Sequence, residues 1–136
     1  MLRLERTRKY LDTLELVRNG VTVKRLDIVF DPDAAANEFS ALYERLIRTQ
    51  KALIRYQKTG DARKLRETAE SFGVLFTDLL SLTFGKHNAA VVLDFYENDY
   101  LEMLTTIMPY LRVVILPKIG EALKREKNRL RQFYRR

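Results

Sequence analysis

This sequence contains few of the residue combinations that carry out acid–base, nucleophilic or metal chemistry. His87 is the only histidine and there is no cysteine, which excludes disulfides, thiolate nucleophiles and Cys-based metal sites. His87 lies close to Gly85 and Asn88 in a predicted loop, where a lone histidine is typical of a structural or exposed role. The five glycines are scattered and form no phosphate-binding loop. We therefore expect a protein that is not an enzyme and needs no cofactor.

The sequence has one cluster of acidic residues, with Asn98 among them: Asp94, Glu97, Asp99 and Glu102. Because Asp94, Asn98 and Glu102 are spaced by four residues, they would share one face of a helix. Their oxygen atoms could hold a hard cation, but Ca²⁺ and Mg²⁺ sites usually take ligands from a loop or from several elements. We therefore favour a solvated face, or a docking strip for the basic end of the chain, and expect no metal.

The net charge of +7 is concentrated at the two ends of the chain. Residues 1–9 carry +3 and residues 118–136 carry +6, whereas residues 10–117 carry −2. We name residues 124–136 the basic tail; its candidate electrostatic contacts are Lys124, Arg125, Lys127, Arg129, Arg131, Arg135 and Arg136. This distribution suggests that the ends contact something acidic: nucleic acid, an acidic protein surface or neighbouring copies of the chain. Nucleic acid is possible because Phe133 and Tyr134 could stack on bases. We rank nucleic acid lower, since the arginines spread around the helix and basic termini often only solubilise.

The spacing of apolar residues predicts a β-hairpin over residues 11–30. Leu14 and Leu16 alternate with polar residues before Asn19-Gly20, the pair best suited to a type I′ turn. After Lys24-Arg25 the apolar positions change from odd to even numbers, which indicates a bulge or a change of direction. A hairpin alone is only marginally stable, so its apolar face must pack on other elements.

Helix-start and helix-stop residues divide the remaining chain into four helices. Asp31-Pro32 begins a helix that runs to about Thr59, and Gly60-Asp61 separates it from a second helix ending at Gly85. A third helix is predicted to begin at Asn88 and to stop before Pro109. The fourth, from Pro109, is either one helix kinked at Pro117 or two helices with a break there.

These elements predict a mainly α fold, with an N-terminal β-hairpin packed on a bundle of about four helices, the last kinked or broken at a proline. We expect a single domain over residues 1–136, consisting of an arm and hairpin (1–30), a helical body (31–123) and the basic tail. The chain contains no uncharged apolar run near the roughly 18 residues of a membrane span. We therefore expect a soluble cytoplasmic protein with no membrane partner.

Several short motifs together resemble small tail assembly chaperones of tailed phages and prophages of Gram-positive bacteria. The C-terminal half of that family is similar to residues 84–88 (FGKHN), 93–104 (LDFYENDYLEML) and 108–110 (MPY). The N-terminal strand at 12–16 (DTLEL) and the helix start at 31–33 (DPD) are also similar. The order of elements matches over most of the chain, and the match is weakest from residue 118 onwards.

The resemblance implies a chaperone that binds the long helical tape measure protein and tail-tube protein in the host cytoplasm and is absent from the finished virion. It also implies a homo-oligomer, because proteins that coat a long helix act as many copies. The candidate partner-binding or self-association residues are Phe95, Tyr96, Tyr100, Met103 and Met108, although all five could equally be core. The alternative function is a small basic regulatory protein that binds nucleic acid through its charged termini.

Overall fold

A computed structural model describes residues 1, 2, 4 and 9–135. Within them the order of elements is β1 (Tyr10–Arg18), β2 (Val21–Phe30), α1 (Pro32–Thr59), α2 (Ala62–Phe84), α3 (Lys86–Phe95) and one long helix, α4 (Tyr100–Tyr134). About 74% of the described residues are helical. The predicted mainly α fold with an N-terminal hairpin and four helices is confirmed.

The hairpin turn has the geometry that its two central residues predict. Asn19 and Gly20 have φ angles of 52° and 77°, and a type I′ turn requires positive φ at both positions. The antiparallel register shifts beside Leu16, which pairs with Lys24 while Val17 pairs with Thr22. Val23 is therefore the extra residue of a bulge, slightly closer to the turn than the change after Lys24-Arg25 indicated.

The bulge allows both strands to present even-numbered residues to the interior. The buried side chains of the hairpin are Leu16, Leu26, Ile28 and Phe30. The odd-numbered face is exposed, and Leu11 lies there opposite Val29. One face is therefore packed and the other solvated, as is usual for antiparallel sheets.

The starts of α1 and α2 are capped as predicted. The backbone N–H of Ala34 donates to Asp31 Oδ1 at 3.2 Å, and that of Lys64 donates to Asp61 Oδ1 at 3.1 Å. Gly60 has a φ of +72° between the two helices, a conformation that glycine adopts without strain. The buried residues of α2 are Phe72, Gly73, Leu75, Phe76, Leu79, Leu80, Thr83 and Phe84.

The prediction of one helix that is capped by Asn88 and stops just before Pro109 is wrong. α3 ends at Phe95, and Glu97 and Asn98 have positive φ angles of 52° and 58° before α4 begins. The amide of Asn98 returns to the carbonyl of Leu93 at 3.0 Å, which closes α3 as a C-terminal cap. Asn88 is not an N-cap either, because its side-chain amide donates to the Phe84 carbonyl at 3.0 Å.

Pro109 does not stop α4, contrary to prediction. A proline inside a helix costs about 3 kcal/mol, mainly through a lost hydrogen bond and a steric clash. Ile107, Met108 and Leu111 on either side are buried, and each such side chain contributes roughly 1.5–3 kcal/mol of hydrophobic stabilisation. Burial of this segment therefore outweighs the local preference to end the helix.

Pro117 distorts α4 without breaking it. The five residues before Leu116 form a π-helical turn, Leu111–Ile115, in which the Leu116 amide donates to the Leu111 carbonyl. The wider turn precedes a residue that has no N–H to donate and whose ring crowds the preceding turn. The helix then continues to Tyr134.

The contacts divide the chain into two compact units. The first contains residues 1–37 and 101–136, and includes the hairpin, the start of α1 and nearly all of α4. The second contains residues 38–100, and includes the remainder of α1, α2 and α3. A single domain over residues 1–136 stays a prediction.

Candidate functional site

The five predicted contact residues differ in their accessibility. Met103 is fully buried and Met108 is 8% exposed, so the structure places both in the core and does not present them to a partner. Phe95, Tyr96 and Tyr100 are half-buried. The rings of Phe95 and Tyr96 meet edge to face, with centroids 5.1 Å apart. The three aromatic residues retain accessible surface.

Tyr100 packs against a glycine that the sequence analysis did not single out. Its ring lies edge-on to Phe76, with centroids 6.4 Å apart. A β-carbon at Gly73 would be 3.0 Å from Cζ of Tyr100, so only glycine allows the ring to lie this close to α2. An open cavity of about 240 Å³ adjoins this contact and is lined by Glu70, Gly73, Val74, Thr77, Asp78 and Tyr100.

The predicted acidic helix face does not form. Asp94 lies in α3, Asn98 in the left-handed turn and Glu102 in α4, so the spacing of four residues no longer places them on one face. Among the residues that the structure describes, no group of three or more His, Cys, Asp or Glu side chains could hold a metal ion. The predicted acidic face is absent because the helix that would have carried it is interrupted between α3 and α4.

His87 lies in the first turn of α3 and is exposed, whereas the sequence placed it in a loop. Gly85, with a φ of +87°, provides the change of direction between α2 and α3. The helix therefore starts immediately after Gly85.

The basic tail is the most accessible part of α4. All its residues from Lys124 to Arg135 are exposed, and Arg136 lies outside the described residues. Arg125 forms an ion pair with Asp33 at 3.0 Å, within the first unit. The tail is therefore joined to the start of α1 near its own beginning and projects as an exposed helix beyond that point.

An apolar stripe continues from the buried part of α4 into the basic tail. Ile119 and Ala122 are buried, and Leu130 and Phe133 each follow one of them by about three helical turns on the same face. Leu130, Phe133 and Tyr134 are nevertheless 52%, 72% and 79% exposed. The tail thus presents a core-type face that the described residues do not cover.

A second apolar surface lies on the outer face of the hairpin. Leu11 and Val29 are 69% and 59% exposed, and a salt bridge of 3.3 Å between Arg25 and Glu15 occupies the middle of the face. Within the described residues the sheet has only two strands, so each has a free edge. Three more exposed apolar residues of the hairpin lie near its turn: Val17, Val21 and Val23.

A hydrogen-bonded cluster that the sequence analysis missed joins β1 to α4. The hydroxyls of Tyr10 and Tyr110 both donate to Asp12 Oδ2 at 2.9 Å, and the Thr13 amide donates to Oδ1 at 2.8 Å. The ammonium group of Lys118 is 4.4 Å from the ring centroid of Tyr10. The sequence feature that could have revealed this cluster is Asp12, an acidic residue at an inward-facing position of β1.

The hydrogen bonds of this cluster shift the pKa values of its members. The pKa of Asp12 lies below its ordinary value because its carboxylate accepts hydrogen bonds from the Tyr110 hydroxyl, the Thr13 amide and the Tyr10 hydroxyl. Burial, followed by the hydrogen bonds with Tyr10 and Asp12, raises the pKa of Tyr110. The Tyr110 hydrogen bond lowers the pKa of Tyr10, but burial and Asp12 raise it by more. Asp12 is therefore ionised and both tyrosines are protonated at neutral pH, which suits a structural clasp.

The long helix Tyr100–Tyr134 contains an 18-residue window with a mean hydropathy of 1.2. By length and composition alone such a helix could cross a membrane. One third of the window is buried within the protein.

Comparisons of the chain with protein-family models, with curated proteins and with solved structures give no match.

Proposed function

We propose that this protein is a non-enzymatic phage tail assembly chaperone, which binds the tape measure protein and tail-tube subunits during tail morphogenesis in the bacterial cytoplasm. The observation that carries the proposal is the uncovered apolar stripe of the basic tail, formed by Leu130, Phe133 and Tyr134. Contiguous apolar surface on a helix is typical of a protein-binding site.

The order of elements supports the proposal through the family resemblance. A strand and turn precede a helix opened by Asp31-Pro32, and a helix follows Phe84-Gly85. The part of the motif at residues 93–104 is divided between the end of α3, the left-handed turn and the start of α4. In this chain the motif therefore spans the junction between α3 and α4, which carries half-buried aromatic residues.

Exposed surface elsewhere also suits a binding protein. The outer hairpin face adds the apolar residues Leu11 and Val29, and the junction adds the accessible aromatic residues Phe95, Tyr96 and Tyr100. A partner that is long and helical could occupy more than one such surface. Self-association of several copies on one tape measure protein remains part of the proposal.

The test is co-expression with a tape measure protein from the same phage or prophage genome, followed by measurement of the soluble tape measure fraction. We expect the wild-type chain to raise that fraction, and we expect Leu130→Glu with Phe133→Glu to abolish the effect. The matched control is Asn128→Glu with Gln132→Glu, which adds the same two charges on the polar face of the same exposed helix.

Two outcomes count against the proposal. One is that the soluble fraction of the tape measure protein stays the same when the wild-type chain is co-expressed. The other is tight, steeply salt-dependent binding to mixed-sequence DNA that disappears on deletion of residues 124–136, which would favour the nucleic-acid-binding alternative.

A further inference from the structure

The distal part of α4 has the residue spacing of a coiled-coil seam. Positions separated alternately by three and four residues run along one face: Leu116, Ile119, Leu123, Glu126, Leu130 and Phe133. Ile119 is buried and Leu123 is half-buried, whereas the seam is exposed from Glu126 onwards. The first half of the seam thus packs inside this chain, and the second half is open to a partner.

We propose that the basic tail binds an acidic amphipathic helix of a partner protein, packed along the seam from Leu123 to Phe133. The inference rests on the proposed function only for the identity of that partner, which would be a segment of the tape measure protein. The chemistry of the partner helix follows from the charges beside and within the seam.

Basic residues flank the exposed seam on both sides. Lys127 and Arg129 occupy the positions next to the seam from which coiled-coil helices form interhelical ion pairs. Both residues are exposed. A partner helix with Glu or Asp at its own flanking positions would complement them, whereas a basic partner helix would be repelled.

Glu126 gives the seam a specific electrostatic requirement. It replaces an apolar residue at a seam position, so a partner packed here must face it with Lys or Arg to avoid an unpaired buried carboxylate. The same carboxylate opposes insertion into a lipid bilayer, because it would enter the apolar layer together with Leu130 and Phe133. A protein helix therefore fits this surface better than a membrane does.

A second copy of the tail is also disfavoured as the occupant. In a parallel pair in register, Glu126 would meet Glu126 of the other copy. In either orientation, two helices of this strongly basic segment repel each other. Nucleic acid would pair with the basic residues but would leave Leu130 and Phe133 exposed, so it accounts for only part of the surface.

The tail is held in the conformation that binding requires. It extends without interruption from a buried helical segment, and Arg125 is paired with Asp33 at 3.0 Å near its start. A helix that is already formed does not lose backbone entropy when a partner binds, which favours affinity.

The test measures binding of the full chain to designed peptides of about three heptads by fluorescence anisotropy. The acidic peptide has Leu at its seam positions, Lys at the central one and Glu at the flanking positions. The comparison peptide has the same seam with Lys at the flanking positions. We expect the acidic peptide to bind at least about tenfold more tightly at physiological salt.

Charge reversal on two different faces separates a seam interface from general attraction. Lys127→Glu with Arg129→Glu should weaken binding of the acidic peptide by about tenfold or more and should create binding of the basic peptide. Lys124→Glu with Arg131→Glu makes the same change in net charge on the outer face and should leave most of the binding intact. Far-UV circular dichroism checks that each variant keeps its helix content.

Four results would overturn the inference. They are equal affinity for both peptides, equal loss in both charge-reversed variants, tail-dependent self-association without peptide binding, and binding to anionic vesicles or duplex DNA without binding of the acidic peptide. Since the peptides contain no tape measure sequence, their binding can succeed or fail independently of the co-expression test. Failure with peptides alone would refute the acidic-helix partner and leave the chaperone proposal standing.

Discussion

Gly73 and Gly120 both lie inside helices, but only Gly73 has a neighbour where a β-carbon would be placed. A β-carbon at Gly73 would lie 3.0 Å from Cζ and 3.1 Å from Oη of Tyr100, and at Gly120 it would have nothing within 4 Å. Alanine is favoured over glycine in a helix interior by about 1 kcal/mol. We therefore expect Gly120→Ala to raise the free energy of unfolding by roughly 0.5–1 kcal/mol.

Gly73→Ala gains the same helix preference but must displace the Tyr100 ring. That ring lies edge-on to Phe76 with centroids 6.4 Å apart, so a shift of a few tenths of an ångström away from α2 weakens the aromatic contact. Overpacking of this kind costs about 1–3 kcal/mol. The expected net effect is a decrease of about 1 kcal/mol in the free energy of unfolding, with Tm lower by about 3–5 °C.

Urea unfolding followed by circular dichroism measures both effects, and Tyr100→Ala supplies the decisive background. Once the ring is removed, Gly73→Ala should become stabilising by about the same amount as Gly120→Ala, since only the helix preference remains. If Gly73→Ala stabilises the wild-type chain as much as Gly120→Ala does, the contact of Tyr100 with α2 is not a constraint and the reasoning is refuted.

Three further changes test the hairpin and α4. Asp12→Ala should lower the free energy of unfolding at pH 7 by about 1–2 kcal/mol. Because the folded pKa of Asp12 lies below 3.8, its stabilisation is present above that pH and should be lost as the pH falls further, which urea unfolding at several pH values would detect. The raised pKa of Tyr110 has the opposite sign, so its contribution should be complete below pH 10 and decline above it. Gly20→Ala should destabilise by about 1 kcal/mol in thermal unfolding, because φ is +77° there. Pro117→Ala should stabilise by about 1–3 kcal/mol, and unchanged stability would show that the π turn already removes the strain.

The hairpin and the first two helices were predictable because short-range chemistry determines them. Asn19-Gly20 tolerates the two positive φ angles that a type I′ turn needs, and Asp31 and Asp61 each accept the backbone hydrogen bond that starts a helix. In each case the residue and its effect lie within a few positions of each other. No tertiary information was required.

The predictions that failed concern helix ends that depend on tertiary packing. Apolar periodicity continued through residues 95–100 and therefore predicted an unbroken helix, although Glu97 and Asn98 adopt left-handed conformations. Pro109 suggested a stop that burial of its neighbours overrides. The ion pair of Arg125 with Asp33 joins residues 92 positions apart, and the bond of Asp12 with Tyr110 joins residues 98 apart, so local patterns could not predict either.

The helical form of the basic tail has the same long-range origin, and this bears on how it would bind. An isolated helix of fewer than about 12–15 residues is only marginally stable in water, so the tail would not be expected to hold its shape alone. Here it continues from Ile115 and Ile119, which are buried, and nucleation of the helix is therefore supplied by the folded unit. Loss of that packing should unfold the tail together with the body. A partner that recognises the tail as a helix would consequently bind folded copies of this protein in preference to unfolded ones.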